Sequence, residues 1–177
     1  DFSGRACACV LKHNNPCGAA LAGDLLEAFK LAYAGDPLSA FGGVLGFNQN
    51  VEKKLAEEIA APERFVEAIV APGFSPEALA ILTTKPRWGK NVRLLETGAF
   101  DQAGAEGKGG GKQAPPSGTR ADLRVIPGGI LVQDRDRVAD EWAELKTVTK
   151  RAPSTQELAA LKFAQVVCKH VKSNAIV

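Results

Sequence analysis

Lys12 followed directly by His13 places a cation beside an imidazole base, within the segment Leu11-Lys12-His13-Asn14-Asn15-Pro16-Cys17-Gly18. Such a pair suits chemistry in which a proton leaves a nucleophile while negative charge builds on a neighbouring oxygen. The segment follows an apolar run and precedes a helical pattern. In an open α/β sheet that is where reactive groups stand, at the carboxyl ends of strands. Pro16 and Gly18 are the residue types that fix a backbone able to aim such a pair. A solvent-facing Lys-His pair in a turn would use the same residues, and composition does not choose between the two. His170, with Lys162, Lys169 and Lys172, reads as a helix face rather than a site.

The elements that must position the pair follow from periodicity. Residues 6–11 read as a strand of small side chains. Asp24 caps a helix, with Glu27 in capping-box position and Leu25, Leu26, Phe29, Ala32 and Tyr33 on one broad face. Residues 43–47 form a second strand, and Val51, Leu55 and Ile59 recur at helical spacing. Residues 65–70 form a third strand. Ser75-Pro76-Glu77 then supplies an N-cap with proline at the first helical position, and residues 92–95 form a fourth strand. Strand and helix in alternation imply an α/β domain with a substantially parallel sheet. Further on, 122–126 and 130–133 read as strands around a Pro127-Gly128-Gly129 turn, and 146–149 as another short one. Ser154 with Glu157 opens the longest helix, whose apolar residues Leu158, Leu161, Phe163, Val166 and Val167 imply a central place.

Between 101 and 120 the texture changes: six glycines and two prolines accompany almost no large apolar side chain, which predicts a flexible linker. Gly109-Gly110-Gly111-Lys112 is no phosphate loop, because Gln113 replaces the required Ser or Thr and no helix pattern follows. The expected organisation is an α/β core over 1–100, the linker, and a continuation over 121–177. At 177 residues the chain can bury one sizeable core, and its net charge of +2 gives no field that argues for nucleic acid or a membrane surface. Any anionic substrate must therefore meet a few placed cations. No apolar run is long enough to span a bilayer, and no signal-peptide order opens the chain, so a soluble, cytoplasmic protein is expected. Cys7, Cys9, Cys17 and Cys168 form no disulfide framework. The chain has no methionine and stops in the apolar run Asn174-Ala175-Ile176-Val177, so a segment of a longer gene product is expected.

The first segment resembles the Lys-His-x-Asn-Pro-Cys-Gly motif of the AICAR formyltransferases, the formyl-transfer modules of bifunctional purine-synthesis proteins. Asp36-Pro37-Leu38-Ser39-Ala40-Phe41-Gly42-Gly43 is similar to a second block of that family, Glu67 to Phe74 to a third, and Asn91-Val92-Arg93-Leu94-Leu95 to a fourth. Gly128 to Asp136, Val148 to Pro153 and Lys169-His170-Val171-Lys172-Ser173-Asn174-Ala175-Ile176-Val177 continue in family order. The ordered set is far more specific than any one block. It covers nearly the whole chain outside the linker.

The resemblance implies transfer of a formyl group from the cosubstrate 10-formyltetrahydrofolate to the 5-amino group of AICAR. It implies His13 as general base, Lys12 as the cation serving the oxyanion or the departing folate nitrogen, and Asn174 as a hydrogen-bonding partner of the reacting groups. Glu67 falls where the family sets a carboxylate on AICAR. Phe41 and Gly42, beside Leu38, fall where it lines the folate pocket, and Asn15 and Ser39 are implied substrate contacts. Read as residues alone, Glu67 also fits a solvated strand position, Phe41 a core aromatic and Asn174 a turn. The family's fold implies a cytidine-deaminase-like three-layer module with a mixed, largely parallel sheet, and a homodimer with shared active sites. The family's cyclohydrolase domain and the second half of its formyltransferase module are not in this chain. Zinc is not expected: the deaminase pattern needs His-x-Glu and Pro-Cys-x-x-Cys, whereas Asn15 and Ala20 stand where its Glu and second Cys belong. A reading of another class is a fragment that binds nucleotide or a partner without turnover.

Overall fold

The computed structural model describes residues 4–99, 121–134 and 145–177. The chain divides into two compact units, Asp1–Phe100 with Val167–Val177, and Asp101–Val166. The predicted linker, the glycine-rich run within it, and Arg135-Asp136 lie outside the described residues.

In the first unit a five-stranded sheet is built from β1 (Ala6–Lys12), β2 (Asn15–Ala22), β3 (Gly43–Phe47), β4 (Val66–Ala71) and β5 (Arg93–Glu96), in the order β2-β1-β3-β4-β5. The sheet is mixed. β1 runs antiparallel to both β2 and β3, whereas β3, β4 and β5 are parallel. The crossovers carry α3 (Lys53–Ile59) and α4 (Pro76–Thr84), as parallel neighbours require.

Alternation sets the buried face. Ala6, Ala8 and Val10 of β1, Leu45 and Phe47 of β3, and Ile69 and Ala71 of β4 point into one core. From α1 (Leu25–Ala34) come Leu25, Ala28, Phe29 and Ala32, at the spacing of one helical face. Phe29 is fully buried and meets Phe47 edge-on at 6.0 Å. Leu55, Ala56 and Ile59 of α3 and Ala78 and Leu82 of α4 complete the core. The opposite face, with Cys7, Cys9, Val44 and Val70, is only half-buried.

The helix starts at Asp24 and Ser75 are those the sequence predicts, whereas Val51, read as the first residue of the next helical run, bridges to Phe74 and α3 begins at Lys53 after Glu52. Asp24 accepts from the Glu27 N–H at 2.9 Å, and Ser75 Oγ from the Ala78 N–H at 3.2 Å with Pro76 at the first turn. Each satisfies a donor that the first turn leaves without a helical partner.

Two elements of this unit were not predicted. The stretch after Lys12 does not run as a loop into a helix; the chain reverses at His13-Asn14 and returns as β2. A four-residue helix, α2 (Pro37–Ala40), precedes β3, its Asp36 cap accepting from the Ser39 N–H at 3.0 Å.

The second unit holds an antiparallel hairpin of β6 (Ala121–Ile126) and β7 (Gly129–Asp134). Pro127 followed by Gly128 at φ +87° is the pattern of a type II turn. The strand predicted over 146–149 is not formed: among the described residues, 145–148 have no ladder partner. Helix α5 (Thr155–Lys169) opens on the predicted capping box, with the Glu157 N–H on Ser154 Oγ at 3.2 Å and the Ser154 N–H on Glu157 Oε2 at 2.8 Å. Its expected central place does not hold, since Val166 is its only buried residue. The apolar stripe is interrupted by Lys162 and Gln165; Leu158, Phe163 and Val167 are only half-buried and Leu161 is exposed.

Candidate active site

Lys12, His13, Asn15, Gly42 and Glu67 come together along one edge of the sheet. β1 ends there, while β2, β3, β4 and β5 begin there, because Lys12 pairs with Asn15, Leu11 with Val44, Gly43 with Val66 and Ala68 with Arg93. The expected placement at carboxyl ends of strands therefore holds for β1 alone. The parallel strands present their amino ends, a consequence of β1 being inserted antiparallel.

His13 and Asn14 form a two-residue hairpin loop with φ +53° and +61°. Positive φ at both positions defines a type I′ turn, which matches strand twist and usually holds Asn-Gly. Here two side-chain-bearing residues adopt it, and both are exposed. Non-glycine residues in this region cost on the order of 1–3 kcal/mol each and cluster at working sites. His13 thus projects from the tip of a hairpin.

Lys12 is held differently. Its Nζ donates to Phe41 O at 2.5 Å and Gly42 O at 3.1 Å. An ammonium has three N–H bonds, so one remains for another acceptor. Gly42 makes this possible: it sits at φ +68°, and a Cβ there would lie 3.0 Å from Lys12 Nζ and 3.1 Å from the Phe65 ring. Gly18 works by space, not conformation. A Cβ on it would fall 2.0 Å from the Ala32 carbonyl oxygen, so it lets β2 lie against α1 rather than aiming the Lys-His pair.

Phe41 is 56% exposed, which removes the core reading, and it packs against Phe65 with centroids 5.4 Å apart. The two rings open a cleft of about 960 Å³, walled also by Glu67, Trp88, Asn91 and Arg93. Trp88 is anchored by its indole N–H on Arg64 O at 2.8 Å. Glu67 is half-exposed and meets Arg93 at 3.4 Å, a long surface pair that leaves the carboxylate able to take other donors. Ser39 turns toward Asp36: its hydroxyl and N–H, with the Leu38 N–H, hold that carboxyl below its ordinary range.

The sequence gives no role to the contact that ties the far end of the chain to this edge. Lys172 Nζ donates to His13 O at 2.9 Å, and the Lys172 N–H to Asn15 Oδ1 at 2.9 Å. Asn174, two residues on, is exposed and accepts from the Ser173 hydroxyl at 3.1 Å. Lys172 was read as part of a helix face, but α5 ends at Lys169 and Lys172 lies beyond it. Its place in the Lys-Ser-Asn block was the signal that separated it from the helical lysines. Among the described residues no three His, Cys, Asp or Glu side chains group as metal ligands would, and no helix is long and apolar enough to cross a membrane.

A mixed α/β sheet thus carries the Lys-His hairpin, the exposed Phe41 cleft and the returning Asn174 segment along one edge. The family model described as AICARFT/IMPCHase bienzyme matches residues 1–177, and the chain belongs to that family. It is 44% identical over 168 residues to a bifunctional purine biosynthesis protein PurH of Rhodopirellula baltica, covering 95% of this chain and 29% of that protein. The corresponding protein of Myxococcus xanthus is 44% identical over 179 residues, covering 100% and 31%, and that of Sinorhizobium fredii 46% over 172 residues, covering 97% and 28%. The chain therefore spans 28–31% of the length of these relatives.

Proposed function

We propose that this chain is part of a formyltransferase module that moves a formyl group from 10-formyltetrahydrofolate to the 5-amino group of AICAR in purine synthesis. The carrying observation is the pair of Lys172 bonds, which set the Asn174 segment against the Lys12-His13 hairpin.

The AICAR amine is a poor nucleophile because its lone pair is delocalised into the ring and carboxamide. His13 takes its proton as it attacks the formyl carbon, and the free N–H of Lys12 meets the oxyanion that forms. Asn174 donates to or accepts from the reacting groups. Glu67 receives the AICAR amine or carboxamide, and Phe41 with Gly42 borders the folate. Asn15 and Ser39, proposed as substrate contacts from the resemblance, act here first as supports, through Lys172 and Asp36. Lys85 and Arg87 also line the cleft, so it carries the placed cations that a weakly charged chain needs for anionic substrates.

We place the site in a cytidine-deaminase-like, cytoplasmic, homodimeric enzyme. The half-buried sheet face is where a third layer packs, and the partner subunit and the rest of the polypeptide complete the site. The isolated chain is accordingly incomplete as a catalyst. The test is His13→Ala in a full-length family protein carrying this chain. Formyl transfer should fall by about 10²–10⁴-fold, the span of a lost general base, with AICAR binding retained by calorimetry; unaltered turnover would remove the base assignment.

A further inference from the structure

His13 stands on a turn whose two residues both take a conformation that side chains disfavour, with no glycine to relax it. A hairpin tip of this kind needs an outside restraint if its side chain is to be held in one direction. The restraint present is Lys172. Its ammonium takes the His13 carbonyl in a charge-assisted bond, and its backbone N–H takes the Asn15 side chain, so the two bonds bracket Asn14 from both sides. The peptide unit is planar, so fixing the His13 carbonyl fixes the plane that joins His13 to Asn14 and restricts the His13 backbone behind its imidazole.

We propose that Lys172 is a positioning residue: with Asn15 it braces the His13-Asn14 turn, and in the same contact it sets the register of Asn174 against His13. The proposal rests on the formyl-transfer reading for its catalytic consequence. The brace itself can be read without turnover. Lys172 acts through His13 and Asn174 rather than on the reacting groups.

The experiment uses a full-length family protein carrying this chain, with Lys172→Met, Lys172→Arg, Asn15→Ala and the Met/Ala double variant. For Lys172→Met, kcat should fall about 10–100-fold, the scale set by small misplacements of a catalytic group. KM for AICAR and for 10-formyltetrahydrofolate should stay within about twofold, since nothing that binds them is removed. Lys172→Arg, which keeps a donor on the carbonyl, should recover most of the rate. The double variant should be little worse than the poorer single, because both residues serve one device. Deuterium uptake over residues 12–16 should rise in Lys172→Met and return toward wild type in Lys172→Arg. An unchanged kcat, a raised KM with kcat kept, or no rescue by arginine would each overturn the brace. If Lys172→Met does not fold, the arginine and Asn15 variants carry the same comparison. A protein in which His13→Ala stays active defeats the catalytic reading instead, while deuterium uptake still reports on the brace.

Discussion

Gly42→Ala tests the geometry of Lys12 most directly. At φ +68° an alanine meets the left-handed penalty of roughly 1–2 kcal/mol. Its methyl would also lie 3.1 and 3.2 Å from two Phe65 ring carbons and 3.0 Å from Lys12 Nζ. The ring packs at a tilt against Phe41, 5.4 Å between centroids, and cannot retreat freely, so overpacking adds about 1–3 kcal/mol. The narrower unfolded ensemble of alanine returns about 0.4–1 kcal/mol. A net loss of about 2–3 kcal/mol is expected, read as a lower urea midpoint with an unchanged slope. Gly98→Ala is the control, for Gly98 has φ +72° with nothing within 4 Å. It should lose only about 1 kcal/mol, and the difference between the variants isolates the crowding. Lys12 Nζ can yield only by leaving the Phe41 and Gly42 carbonyls, so Gly42→Ala should also depress formyl transfer in a full-length protein, while Gly98→Ala should not. Equal midpoints for the two variants, with turnover intact in Gly42→Ala, would refute the claim that this glycine makes room for the lysine.

Two other expectations are independent of the chemistry. Gly18→Ala would set a Cβ 2.0 Å from the Ala32 carbonyl oxygen, and backbone cannot swing aside as a side chain can, so α1 must move off β2. Thermal unfolding should show a larger loss than Gly42→Ala, and a change under about 1 kcal/mol would contradict the close approach. Glu157 is held down to about 2, first by the Arg151 guanidinium and then by the Ser154 N–H and hydroxyl. A carboxyl lowered on folding contributes stability that is complete above its ordinary value of 4.5 and lost as pH falls from there through about 2. Helicity at the start of α5 should therefore decline across that window, and Arg151→Ala should move the decline to higher pH; an identical acid profile in the variant would rule out the pairing.

What was legible followed from strong local signals. Asp24, Ser75 and Ser154 each declared a helix start because their side chains do work that only a first turn needs. Residues 43–47 and 65–70 were readable as strands because apolar runs between turn residues have few other uses. β2 was not readable. Asn-Pro-Cys-Gly-Ala-Ala-Leu-Ala is almost all small, with Leu21 its one large apolar residue and so no visible period of two, and its smallness serves the approach of α1. α2 was missed because four residues cannot display a helical period. The central place assigned to α5 failed for another reason. Periodicity reports which residues are apolar, but not what the surrounding chain supplies to cover them.

The Lys-His pair was readable as chemistry but not as geometry, and the reason lies in the turn. A type I′ hairpin is normally announced by glycine, and His13-Asn14 lacks one. The sequence therefore looks like a loop on the way to a helix. Histidine and asparagine are nevertheless among the side chains that tolerate positive φ best. Asn15 then serves the neighbouring contact, and Pro16 keeps the residue before it out of the helical region. The consequence reaches across the sheet. Once β1 and β2 form a hairpin, β1 must enter antiparallel to β3, and the starts of β3, β4 and β5 are carried to the edge where Lys12 ends. Gly42, Phe65, Glu67 and Arg93 all stand near those starts. One turn that the sequence disguises thus decides which end of every other strand of the five-stranded sheet faces the site.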